Sequence, residues 1–129
     1  MQRKPKILAA CPQFALADVL AALGDLAHIV HARSLAEAKR ALESDAAIAL
    51  VLCGVHFDLA HELLDYARAA FPAKPFVSCR LIDGETSDAA MKVSASAYID
   101  LPKLAADLGY PRARKRFAQL VMEQLRGAA

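Results

Sequence analysis

The side chains best suited to chemistry are three cysteines, Cys11, Cys53 and Cys79, and a histidine, His56, that follows the dipeptide Cys53-Gly54 by two residues. Thiols and an imidazole can bind a soft metal or sense oxidants. The spacing argues against a preformed metal motif, because no CxxC pair is present. An odd number of cysteines, each in or just after an apolar run, reads as buried, reduced thiols in a cytosolic protein. His56 and His61 flank Asp58 across a loop-to-helix junction, which gives them no assured common orientation. His28 and His31 bracket Ile29-Val30, and an odd separation in a strand puts them on opposite faces, so they are not a ligand pair.

The elements that must position these residues can be taken from hydrophobic patterning. Ile48 to Cys53 is a short, bounded apolar run, as expected of a central strand buried on both faces of a parallel sheet. Ligands gather beyond the carboxyl ends of such strands, which makes Cys53, Gly54 and His56 the place to look. Ile7 to Ala10, Leu26 to Ala32, Lys74 to Cys79 and Ala97 to Ile99 are further strand candidates.

Between them fall helical patterns. Leu16, Val19, Leu20 and Leu23 define a helix over 13–23. Ser34 and Glu37 form a capping box for a helix reaching about Glu43, with Leu35, Ala38, Ala41 and Leu42 inward. Asp58 is expected to cap a helix ending at Ala70, and Ser87 a short one carrying Ala90, Met91 and Ser94. A helical turn through Leu104 and Leu108 is expected between Lys103 and Tyr110. A last helix runs from Pro111 to Arg126, burying Phe117, Leu120, Val121 and Leu125. Five strand–helix repeats imply right-handed βαβ units in one α/β domain spanning residues 1–129, an open parallel sheet of flavodoxin-like class with helices on both faces.

Composition bounds the function. The chain is 57% hydrophobic and 23% charged with net charge +2, too mild to imply nucleic acid. The basic start leads into only Ile7 to Ala10, too short for a signal-peptide core, and nothing approaches the roughly 20 apolar residues that cross a bilayer. A cytoplasmic protein is expected. The charge is unevenly spread: Tyr110 to Ala129 holds Arg112, Arg114, Lys115, Arg116 and Arg126 against Glu123 alone, a local +4. Basic residues in a first helical turn oppose the macrodipole by about 0.3–1 kcal/mol each. Their presence suits an acidic partner surface, or a solvated face paired with Asp100 and Asp107.

Leu50-Val-Leu-Cys-Gly54 with Glu62-Leu-Leu64, Lys74-Pro-Phe-Val77 and Ala95-Ser-Ala-Tyr-Ile-Asp-Leu-Pro102 together resemble the receiver domain of bacterial response regulators, over about residues 5–126. The resemblance implies a (βα)5 three-layer sandwich of strand order 2-1-3-4-5, which makes the three cysteine-bearing strands neighbours. That family's chemistry uses a phosphoacceptor aspartate, two acidic Mg²⁺ ligands, a Thr or Ser and a Lys. The matching positions here are Gly54, Cys11-Pro12, Arg80 and Leu101, and all are replaced. Glycine has no carboxylate, hard Mg²⁺ needs oxygen ligands, and leucine carries no charge. The neighbours Cys53, Val55 and Cys79 do not rescue the set.

The resemblance therefore implies a pseudo-receiver without catalysis, cofactor or metal, acting through a protein partner or as a homodimer. It carries the partner surface to Met91, Val93, Tyr98 and the last helix with Arg112, Arg114, Lys115 and Arg116. The alternative is a small-ligand, metal or thiol sensor around Cys11, Cys53, Gly54, Cys79 and Arg80, where Arg80 binds an anion or plugs the pocket unless Asp83 or Glu85 pairs with it. A third reading makes Asp58 a displaced phosphoacceptor.

Overall fold

Burial on both faces of the sheet governs the architecture. In a computed structural model that describes residues 4–55, 57–82 and 95–127, five parallel strands lie in the order β2-β1-β3-β4-β5. The strands are β1 (Lys6–Ala10), β2 (His28–Ala32), β3 (Ile48–Gly54), β4 (Phe76–Arg80) and β5 (Ala97–Asp100). The helices among the described residues are α1 (Gln13–Leu23), α2 (Leu35–Ser44), α3 (Ala60–Ala70), α4 (Leu101–Leu108) and α5 (Tyr110–Gly127). The expected helix after Ser87, with Ala90, Met91, Val93 and Ser94, lies outside the described residues, as do His56, Asp83 and Glu85.

Strand alternation divides the apolar residues between two cores. Ile7, Ala9, Leu50, Leu52, Val77 and Ile99 face α1 and α5, where Val19, Phe117 and Val121 meet them. Leu8, Ala10, Ile48, Val51 and Phe76 face α2 and α3, against Leu42, Leu63 and Leu64. Ile48 and Leu50 would share a face in a regular strand, but the β1–β3 register shifts between Lys6 and Ile7, leaving Ala49 as the extra residue. That irregularity lets a continuous apolar run serve both cores.

Several boundaries differ from the sequence expectation, each for a local reason. β2 starts at His28 rather than Leu26, because the amides of Leu26 and Ala27 both donate to Leu23 O and finish α1. β4 starts at Phe76: Lys74 lies in a turn, its amide donating to Phe71 O and its ammonium to the carbonyls of Ile48 and Ala46. Asp58 does not cap α3. That position is held by Leu59 in the left-handed region, φ 61°, without a side-chain cap. The expected turn at Leu104 is a two-turn helix, and Gly109 at φ 79° separates it from α5. A glycine suits that backbone because it has no Cβ to clash.

At α2 the Ser34 hydroxyl accepts from the Glu37 amide at 3.2 Å, while the Glu37 carboxylate accepts from the Arg33 amide instead of that of Ser34. The cap is thus anchored mainly by one side chain. Ser34→Ala is expected to lower stability by about 1 kcal/mol, measured by urea denaturation.

Candidate functional site

Among the described residues, apolar side chains surround the carboxyl end of β3. β3 ends at Gly54, paired with Cys79 of β4. A Cβ built on Gly54 would touch Cys11 Cβ at 3.5 Å, Leu81 Cδ1 at 3.8 Å and Ala10 O at 3.9 Å, all ordinary van der Waals contacts. Cys11, Cys53, Cys79, Leu81 and Leu101 are each at most 3% exposed, so the described residues around Gly54 form a packed apolar floor. Leu81, which sequence reasoning did not single out, follows Arg80 directly and supplies part of that floor. Leu101 is fully buried as the first residue of α4 and packs into the core under α1 and α5.

The cysteines are neighbours in strand order but do not share one core. Cys11 and Cys79 face the α1/α5 core and Cys53 the α2/α3 core, because one residue of strand pleat reverses the direction of a side chain. Cys53 Sγ donates to Gly54 O and Cys79 Sγ to Cys53 O, both at 3.6 Å. Burial pushes the Cys11 thiol up to about 11 from 9.0. Burial, and then the proximity of Cys11, raise that of Cys53. A reactive thiol requires the opposite shift. Among the described residues no group of three or more His, Cys, Asp or Glu side chains is placed to hold a metal ion.

The remaining candidates are dispersed. Pro12 is the N-cap residue of α1 and offers no oxygen ligand from its side chain. The Cys11 carbonyl accepts from His31 Nε2 at 2.9 Å, while His28 is exposed. Phe57 is tucked into the α2/α3 core, its amide bonded to Gly54 O at 3.0 Å, and Asp58 beyond it is exposed.

Arg80 closes β4, and its Nε donates to Asp100 Oδ2 at 2.9 Å, with both side chains about one-fifth exposed. The other oxygen, Asp100 Oδ1, accepts from the Lys103 amide at 3.0 Å and caps α4. Arg80 therefore ties two strand ends together; Asp83 and Glu85, its other expected partners, lie outside the described residues. An acidic residue ahead of Leu101-Pro102 was the sequence signal for this cap: Pro is favoured in a first helical turn and Asp just before it.

The basic stretch is likewise divided. Arg114 NH2 donates to Asp18 of α1 at 3.3 Å and its guanidinium lies over the Tyr110 ring at 5.3 Å; Arg116 meets Glu123 at 3.9 Å. These pairings replace the expected ones with Asp100 and Asp107. Arg112 and Lys115 are exposed. Tyr98 borders a cleft of about 360 Å³ with Asp100, Lys103, Leu104, Asp107 and Leu120, so it shares an edge with α4 and α5. Met91 and Val93, expected on the same surface, lie outside the described residues.

Comparison with solved structures places this architecture. A CheY-like response regulator receiver domain protein of Methanospirillum hungatei is 17% identical with TM-score 0.72, over 98% of this chain and 97% of that one. A response regulator receiver protein of Sinorhizobium medicae is 22% identical with TM-score 0.69, over 98% of each chain. A chemotaxis response regulator of Vibrio cholerae is 16% identical with TM-score 0.65, over 92% of this chain and 99% of that one. No protein-family model and no curated protein sequence matches. The fold is that of receiver domains, with the 2-1-3-4-5 strand order of the flavodoxin-like class.

Two predictions follow from the packing at Gly54 and Cys11. Gly54→Ala should change stability by no more than about 1 kcal/mol, in the stabilising direction, whereas Gly54→Asp should cost several kcal/mol by burying an uncompensated carboxylate, both read by chemical denaturation. For Cys11 the unfolded thiol ionises near pH 9 while the folded one holds its proton to about pH 11. The unfolded state then binds fewer protons, so this contribution is complete below pH 9 and declines as pH rises through 11. It amounts to about 1 kcal/mol lost by roughly pH 10, and Cys11→Ala should flatten that slope.

Proposed function

We propose that this protein is a receiver-like signalling module that works by protein–protein contact without aspartyl phosphorylation. The observation that carries the reading is the packed apolar floor at Gly54, where a phosphoacceptor would require a solvated carboxylate and a hard cation. Mg²⁺ takes oxygen ligands, and the matching positions offer Cys11 and Pro12. The nearby Asp100 carboxylate is already committed to Arg80 and to the α4 cap.

The module acts as an adaptor for another protein or as a homodimer, engaged through the Tyr98 edge and the last helix, including Arg112, Arg114, Lys115 and Arg116. No catalytic step is assigned to it. Nucleic acid is a poor fit, because the basic residues lack interleaved aromatics for base stacking. The cytoplasm is the expected site of action, and no helix among the described residues is long and apolar enough to cross a membrane.

The sensor alternative has less support, since the three buried thiols point to two different cores. The displaced-acceptor reading rests on Asp58, which is exposed and next to a left-handed Leu59.

Incubation with acetyl phosphate and Mg²⁺, followed by intact mass measurement, tests the proposal. The expected result is an unchanged mass for the wild type and for Gly54→Asp, since the second lacks the acidic ligand pair. A stable phosphate adduct on the wild type would overturn it, and loss of that adduct in Asp58→Asn would install the displaced acceptor instead.

A further inference from the structure

Helix α1 is apolar on nearly every side although it lies on the surface. In Gln13–Leu23 the charged residue is Asp18, and it is bound to Arg114. Ala15, Val19 and Leu23 face the core, yet Phe14 is 66% exposed and Leu20 47%. A helix that is hydrophobic all round is normally covered. Phe14, Asp18 and Ala22, spaced by four, share the helix edge that meets α5 at the Asp18–Arg114 contact. Beside that contact lies a groove of about 390 Å³, lined by Ala22, Leu26, Lys115, Met122 and Arg126. Leu26, in the turn after α1, is 46% exposed at its end.

The charge of this groove is one-sided. Lys115 and Arg126 are exposed, and neither has an ion-pair partner among the described residues. Asp25 stands beside Leu26 but outside the lining. An apolar floor between two unpaired cations is complementary to an amphipathic helix that presents apolar anchors at i, i+3 or i+4 and i+7, with carboxylates on either side. A second copy of this chain fits worse. An isologous contact sets the same patch against itself, and this patch would bring cations to cations.

We propose that the α1/α5 groove is the docking site for an acidic amphipathic helix of another protein, with Met122 and Leu26 receiving its apolar anchors and Lys115 and Arg126 its carboxylates. The proposal rests on the reading of this chain as a contact-making module. It does not depend on the loss of phosphorylation, so the two fail separately. It also moves the contact from the Tyr98 edge to the opposite side of the last helix.

The probe is a fluorescein-labelled helical peptide with Leu at i, i+4 and i+7 flanked by Glu, alongside the same peptide with Lys in place of Glu. Fluorescence anisotropy against the intact chain should show saturable binding of the Glu peptide and at least tenfold weaker binding of the Lys peptide, with affinity falling as salt rises. Lys115→Glu/Arg126→Glu should weaken the Glu peptide by about tenfold and reverse the preference, with an unchanged far-ultraviolet circular dichroism spectrum. Met122→Ala should weaken both peptides. Equal binding of the two peptides, or indifference to the charge-reversed variant, would overturn the proposal. So would concentration-dependent dimerisation in light scattering that Met122→Asp abolishes, because a second copy would then occupy the groove.

Discussion

Strand β3 sets the terms for everything around it. It is hydrogen-bonded on both edges, to β1 and β4, and buried on both faces, so each residue from Ile48 to Gly54 lies in an environment without room for an unpaired charge. In an open α/β sheet the end of such a strand is where ligands meet protein. Here the strand is buried to its last residue, with Cys11 and Leu81 beside Gly54. An ionised side chain could be kept at that point only with cations or water around it.

At the carboxyl edge of the sheet an ion pair runs between two strand ends. Arg80 and Asp100 lie opposite each other at the ends of β4 and β5, and one carboxylate serves both the guanidinium and the amide of Lys103. A single residue therefore couples the strand edge to the start of α4. Both oxygens of Asp100 have partners, one the Arg80 guanidinium and the other the Lys103 amide.

The recognition surface proposed above lies on the α5 side. Its cations are unequal: Arg114 and Arg116 are absorbed by Asp18, Tyr110 and Glu123, whereas Lys115 and Arg126 stand over an apolar groove. Absorbed charges hold helices together. Unabsorbed charges beside exposed apolar surface are available to a partner, which is why the groove and not the whole basic stretch is the sharper feature.

Much of the fold was legible in the chain itself. Apolar runs and helical spacing located five strands and four of the described helices, since buried parallel strands and amphipathic helices each leave a local period. The strand order entered through the resemblance to receiver domains. That Cys11, Pro12, Gly54 and Leu101 carry neither carboxylate nor ammonium was also readable, because it is a property of residue type. The tertiary structure alone decided the rest. It put Cys53 on the opposite face from Cys11 and Cys79, brought Asp100 to Arg80 from 20 residues away, and brought Asp18 to Arg114 from 96 residues away. Sequence patterns report on neighbours a few residues apart, whereas pleat direction at a strand end and pairing between distant charges are set only when the sheet and its helices have packed.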